Sequence, residues 1–327
     1  MRFTGRVVIT GGAGFIGANL CRLLCGAGVD VVVLDDLSTG SSENLAGLDV
    51  EFVEGSILDR DVLATVCRAA DCIVHLAARP SVPRSLQDPL ATNEVNVNGT
   101  LRVLEAARAA GIHTIVASSS SIYGANPELP KRETLTPIPV SPYAVSKLAA
   151  EGYALAYQLC FALPVLVFRF FNVFGPLQTS GHAYAAVVPR FIDAALSGRS
   201  LEVHGDGRQT RDFTYVGTVA RVLMDAIERR VTNAGAVNLA FGSRISILGL
   251  VETLEAVLGK PLETHHIAER AGDVRASQAD QALLRSLFPA AMATDLRDGL
   301  AATVAWFRQG SSAGVLATAE TPKGGWT

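Results

Sequence analysis

The 327-residue chain predicts an α/β fold, a doubly wound parallel sheet followed by a smaller α/β domain. Three observations predict it. Short β-branched runs alternate with helix-like segments through the first half, a glycine-rich turn joins the first run to the first helical pattern, and an aspartate ends the second run. Runs apolar at consecutive rather than alternate positions belong to strands covered on both faces, the condition of a parallel sheet.

The elements follow in order. RVVIT (6–10), VDVVVLD (29–35), VEFVEG (50–55), DCIVHLA (71–77), HTIVASSS (113–120) and LPVLVFRF (163–170) are the strands, separated by helix-like segments, and together they make a dinucleotide-binding domain over 1–172. Past it the rhythm breaks. FGPLQTSGHAY and GDGRQT are rich in turn residues, VNLAFG (237–242) reads as one more strand, and ILGLVETLEAVLG (247–259) reads as an amphipathic helix. Residues 173–310 are assigned to a second domain that completes a cleft, with a segment near 213–242 returning to the first. The small polar residues 311–327 read as a flexible tail.

Composition narrows the partners. With 49% hydrophobic and 18% charged residues the chain has enough apolar side chains for a sizeable core. A net charge of −3 gives no basic footprint for nucleic acid, so a small molecule or a protein is the expected partner. Five cysteines, odd in number and mostly in apolar segments, read as reduced thiols of a cytoplasmic protein, and no spacing suggests a metal site. The apolar N-terminus is interrupted by GGAGFIG, and no apolar run is long enough to span a bilayer.

TGGAGFIG (10–17) follows the first strand and opens a helix, placing Gly11, Gly14 and Gly17 where a tight turn lets backbone N–H groups approach a pyrophosphate; Phe15 and Ile16 complete that cofactor-binding turn. Asp35, about twenty residues on, can accept both ribose hydroxyls of NAD, and its charge would repel the extra phosphate of NADP. This is a Rossmann-type arrangement with NAD as its cofactor. In SPYAVSK (141–147), Tyr143 and Lys147 are four apart, which on any helix makes them neighbours and does not by itself mean chemistry. A phenol of pKa ~10 is a poor base near neutrality and needs positive charge beside it, which a lysine one turn away and an oxidised nicotinamide supply.

Taken together, TGGAGFIG, LDDLSTG, HLAA, NVNGT, SSSSIYG, SPYAVSK, RFFNVFGP, GDGRQTRDFTYV and RAGDV resemble the extended short-chain dehydrogenase/reductases, and within them the UDP-sugar 4-epimerases, over about residues 6–308. The resemblance implies that Tyr143 and Lys147 are catalytic, with Ser119 hydrogen-bonding the same sugar hydroxyl; Ser120 and Ser121 are near enough to share that role, and Ser118 is placed to support the nicotinamide. It implies further NAD contacts from Asp36, Ser38, Gly40, Ser56, Ile57, Leu76, Ala77, Ala78 and Asn96. The implied reaction is a transient oxidation at the sugar's C4, rotation of the 4-keto sugar, and hydride return to the opposite face. The resemblance also implies a homodimer, joined through helices near 93–110 and 143–162.

For the substrate, Arg211 and Arg270 resemble diphosphate-binding arginines and Asn172 a diphosphate-binding asparagine; Asp273 would take the uridine ribose, and Val188, Glu202 and His204 lie where the family builds its uracil pocket. Ser277 stands where members restricted to plain hexoses carry a bulky aromatic, which leaves room for a larger sugar. A uronate carboxylate would need Arg84, Thr179, Ser180 or His182, or serines or threonines with backbone N–H groups; Ser121 is placed among the substrate-binding residues. The segment LQTSGH after the GP dipeptide lacks the arginine common in glucuronate epimerases, yet the whole-chain likeness extends to the glucuronate 4-epimerases of actinobacterial moenomycin-type phosphoglycolipid pathways. UDP-glucuronate is favoured on that likeness, with UDP-N-acetylglucosamine or UDP-glucose as the alternative. A dehydratase would want an Asp-Glu pair where Ser120 and Ser121 stand, and a decarboxylase a carboxylate near PSVPRS, which has none before Asp88. A silent dinucleotide sensor would not need the Ser-Tyr-Lys set, and His75, inside an apolar strand, reads as a core histidine.

Overall fold

The computed structural model describes residues 3–181, 185–269 and 274–318. Its strands are β1 (Arg6–Thr10), β2 (Asp30–Asp35), β3 (Glu51–Glu54), β4 (Cys72–His75), β5 (His113–Ser119), β6 (Val165–Phe170), β7 (Asn172–Phe174), β8 (Leu201–His204), β9 (Thr210–Arg211), β10 (Phe213–Tyr215), β11 (Val237–Leu239), β12 (Ile245–Ser246) and β13 (Thr264–Ile267). Seven of them form one sheet in the order β11-β6-β5-β4-β1-β2-β3, every neighbouring pair parallel. The order reverses between β1 and β4. In such sheets the crevice outside the strands' carboxyl ends, at that reversal, is where ligands sit.

Both faces of the sheet are covered, as the continuous apolar runs require. One face packs Val7, Ile9, Val31 and Val33 against helix Phe15–Gly26 and helix Val216–Glu228; the other packs Val8, Val32, Ile73 and Val116 against helices Arg60–Cys67, Thr100–Ala110 and Pro142–Phe161. The chain leaves this domain after β6 and returns to it with helix Val216–Glu228 and the edge strand β11. A separate apolar cluster of Phe174, Val188, Phe191, Leu201, Val203, Leu250, Leu254 and Leu300 holds the second region, whose strands pair only in twos: β10 with β7, β12 with β9, and β13 with β8.

Two expectations change. The helix expected near 93–110 is divided: Glu94–Gly99 is wound as a π-helical stretch before Thr100–Ala110 continues as an α-helix. The supposed tail is also shorter, because the last helix runs Leu296–Thr318. Residues 311–318 contain Ala, Leu and Val and no proline, so nothing in them stops a helix that has already nucleated.

Candidate active site

The turn after β1 is a cradle that glycine alone fits. Gly11 has φ 72°, and a Cβ there would lie 2.6 Å from the Ala77 nitrogen; a Cβ on Gly17 would lie 2.4 Å from the Gly11 carbonyl oxygen. Gly14, by contrast, meets only the Gly11 oxygen at 3.2 Å, so its outer side is open to a ligand at the start of helix Phe15–Gly26. Asp35 closes β2 and is buried. Its Oδ2 accepts from Ala13 N at 3.0 Å and its Oδ1 from Leu37 N at 2.9 Å, and burial raises its pKa against the pull of those hydrogen bonds. Each oxygen keeps a second lone pair for a hydroxyl. Asp36 takes the exposed position beside it and binds Ser38 N and Oγ at 3.0 and 2.6 Å.

The residues after β4 lie opposite. Leu76 N donates to Thr10 O at 3.0 Å and Ala77 N to Thr10 Oγ1 at 3.4 Å, which fixes the Leu76–Ala78 backbone beside the glycine turn. Asn96 is buried and already engaged: its Oδ1 accepts from Arg79 N at 2.7 Å, and its Nδ2 donates to Arg79 O at 3.2 Å and to Ser146 Oγ at 3.0 Å. It therefore joins the loop after β4 to the helix that carries Tyr143. Ile57 is buried against Gly99, and Ser56 Oγ accepts from Leu58 N at 3.2 Å. His75 is a core histidine, bridging Thr10 Oγ1 (2.7 Å) and Thr100 Oγ1 (2.9 Å); burial, then the charge of Lys147, brings its pKa down to about 3.

Ser141 and Pro142 set the start of helix Pro142–Phe161. Ser141 Oγ accepts from Ala144 N at 3.2 Å as the N-cap, and Pro142 occupies the first turn, where its missing N–H is not needed. Tyr143 and Lys147 follow on one face. Lys147 is buried, donates to Ala117 O at 2.9 Å, and is pulled down to about 8 by burial. Burial raises the Tyr143 phenol, and a hydrogen bond with Ser119 partly offsets it.

That bond distinguishes the serines. Ser119 ends β5 and also accepts from Ser121 N at 3.2 Å; Ser118, one residue earlier and so on the other face of the strand, instead donates to Glu151 at 2.6 Å. Glu151 is paired with Arg169 at 2.6 Å in a buried ion pair, and Arg169 also reaches the Tyr123 hydroxyl at 2.8 Å. Ser120 is half-buried, and Ser121 Oγ is buried with no hydrogen-bond partner in the structure.

A cleft of about 340 Å³ opens between the two regions. It brings together Asn172, Val188, Glu202, His204 and Arg211, all five named from the sequence. Arg211 is buried in the wall. Glu202 pairs with Arg190 at 2.7 Å, and His204 Nδ1 donates to the Ala268 carbonyl at 3.0 Å. Ser277 is buried, its N–H on Thr210 O at 3.0 Å, and Arg84 lies on helix Val82–Gln87 beside the lining residues Val82, Pro83 and Leu86. Thr179 is exposed and Ser180 half-buried, both outside the cleft lining; His182, Arg270 and Asp273 lie outside the described residues.

Sequence reasoning missed several contributors. Asn44 Nδ2 and Ser41 N both donate to Ala13 O, at 2.8 and 3.1 Å, strapping the loop after β2 over the glycine turn alongside Gly40. Ser81 lines the cleft with φ 92°, a backbone state that side chains resist. Neither carries a signal that separates it from other polar loop residues.

The chain matches the NAD dependent epimerase/dehydratase family over residues 7–240. It is 38% identical over 316 residues to the UDP-glucose 4-epimerase of Mycolicibacterium smegmatis, covering 94% of this chain and 99% of that one. Among solved structures it is similar to the UDP-N-acetylglucosamine 4-epimerase of Methanobrevibacter ruminantium in complex with UDP-N-acetylmuramic acid, with a TM-score of 0.88 and 35% identity over 94% of this chain and 99% of that one. It is also similar to the UDP-glucuronic acid 4-epimerase of Bacillus cereus in complex with UDP-glucuronic acid and NAD, with a TM-score of 0.86 and 30% identity over 93% and 99%. On these matches, and with a glycine cradle that fits a dinucleotide, the chain belongs to the NAD dependent epimerase/dehydratase family.

Proposed function

We propose that this protein is an NAD-dependent 4-epimerase of a UDP-sugar, with UDP-glucuronate and UDP-galacturonate as its substrate pair. One observation carries the epimerase reading: Ser119, Tyr143 and Lys147 meet at the strand ends, next to a cleft that gathers Asn172, Glu202, His204 and Arg211. NAD, held by the glycine turn, Asp35 and the Leu76–Ala78 backbone, supplies a reversible hydride acceptor for C4. Tyr143 removes and returns the 4-hydroxyl proton. Lys147 adds the positive charge that keeps its phenolate accessible, and Ser119 keeps the hydroxyl aligned between steps. Arg211 and Asn172 hold the diphosphate so that the sugar can turn without leaving.

The uronate choice is supported by the similarity to the UDP-glucuronic acid 4-epimerase of Bacillus cereus, by the small Ser277 side chain, and by the serine-rich end of β5. There Ser121 Oγ is an unengaged donor of the kind a carboxylate needs. Incubating the purified protein, without added cofactor, with UDP-glucuronate and separately with UDP-N-acetylglucosamine and UDP-glucose tests it. A galacto anomeric signal by NMR from the uronate alone is expected; turnover of only the other sugars would refute the uronate choice, and silence from all three after adding NAD would refute epimerisation.

The exposed face of helix Pro142–Phe161 presents Val145, Ala149, Tyr153, Ala156 and Leu159 in one apolar stripe. A second copy of the chain is its occupant in this reading, giving a homodimer, which sedimentation velocity tests. Among the described residues no helix is long and apolar enough to cross a membrane, and the five cysteines are free. A cytoplasmic enzyme fits both.

A further inference from the structure

Residue 212 is the point where the chain leaves one small sheet for another. Arg211 before it pairs with Ile245, and Phe213 after it pairs with Asn172. The Asp212 side chain is fully buried, and four donors converge on its carboxylate. Oδ2 accepts from Gly242 N and Ala279 N, both at 3.0 Å; Oδ1 accepts from Ser243 N at 3.2 Å and Ser243 Oγ at 2.9 Å. The Asp212 carbonyl also accepts from Asn172 N at 3.2 Å. One residue therefore ties together the segment after β11, the stretch two residues past Ser277, and the strand that starts at Asn172.

We infer that Asp212 is a positioning residue for nucleotide binding: its carboxylate fixes the wall from which Arg211 and Asn172 face the cleft. The inference rests on the reading of that cleft as the UDP site. Its chemistry is specific to a carboxylate. Each oxygen takes two donors, whereas an asparagine replaces one oxygen by an NH2 that can only donate: turned one way it strands the N–H groups of Gly242 and Ala279, turned the other it strands Ser243 N, while the Ser243 hydroxyl can rotate to accept. Buried donors left this way pull their segments out of register. The cofactor side shares none of these four bonds.

The test is UDP binding by calorimetry to the full chain carrying Asp212→Asn, together with steady-state kinetics on the sugar that the wild type turns over. The expected result is a Kd for UDP and a KM each weakened by roughly tenfold, with kcat at saturation within about threefold and bound NAD per subunit unchanged. Unchanged UDP affinity, or a fall in kcat with KM unchanged, overturns the inference. If Asp212→Asn does not fold, Ser243→Ala removes one donor to Asp212, together with the acceptor of Phe213 N–H, and should weaken UDP about threefold; a folded Ser243→Ala with unchanged affinity overturns it equally. A wild type that does not bind UDP sinks the nucleotide reading and this inference with it, while equal binding by wild type and variant sinks this inference alone.

Discussion

The two sides of the candidate active site are built from different materials. The cofactor side is backbone: parallel strand ends, glycines whose missing Cβ atoms are already within 2.4–2.6 Å of neighbouring main chain, and a carboxylate held by two amides. The substrate side is side chains hung on three two-stranded sheets, and it holds the buried, unpartnered Gln178 Oε1, Thr210 Oγ1 and Thr214 Oγ1. Backbone geometry recognises what every dinucleotide shares. Side chains can be exchanged one at a time, so the substrate side is where such a fold can change its sugar while leaving the chemistry alone.

Four experiments break or sharpen that contrast. Tyr143 stands on the seam, and Tyr143→Phe should lower turnover by ~10³-fold or more while NAD stays bound; activity above a few per cent of wild type, measured by NMR, would remove it as the base. On the cofactor side a single methyl should be intolerable: Gly17→Ala places an atom against the Gly11 carbonyl, and NAD affinity should fall by roughly a hundredfold. Full NAD content after gel filtration would show the turn to be softer than described. On the substrate side a far larger addition should only redirect choice. Ser277→Tyr is expected to weaken competitive inhibition by UDP-N-acetylglucosamine by roughly tenfold relative to that by UDP-glucose, and an unchanged ratio would strip Ser277 of that role.

The smallest effect is electrostatic. In the proposed reaction Lys147 acts through its charged form, and its pKa is lowered to about 8 by burial, so the charge is present below that value and is lost as pH rises through it. Turnover should decline a few-fold above about pH 8, and a rate that stays level to pH 10 would mean that the ammonium is not needed.

The same contrast explains what the sequence could tell. Strands buried on both faces write themselves as unbroken apolar runs, and a turn that excludes Cβ atoms writes itself as glycine, so β1 to β6 and Gly11, Gly14 and Gly17 were legible. Which serine meets Tyr143 was not. SSSS is uniform in sequence, and strand alternation with the turn at Ser120–Tyr123 sends Ser118 to Glu151 and Ser119 to the phenol. Asp212 and Asn44 were illegible for a related reason: their partners lie in segments 30 to 67 residues away, and a polar side chain does not announce a distant partner. Residues 311–318 read as tail although they belong to the last helix, because small residues permit a helix without demanding one.

Asp35 has a consequence for anyone wishing to redesign the chain. The usual route to a phosphorylated dinucleotide is to trim the acidic residue that repels its extra phosphate. Here that residue also fastens Ala13 and Leu37, so trimming it would release the very loop that must grip the new ligand. A workable swap has to supply substitute acceptors for both amides together with the cationic partner for the phosphate, and designs that change position 35 alone should lose the original cofactor without gaining the other.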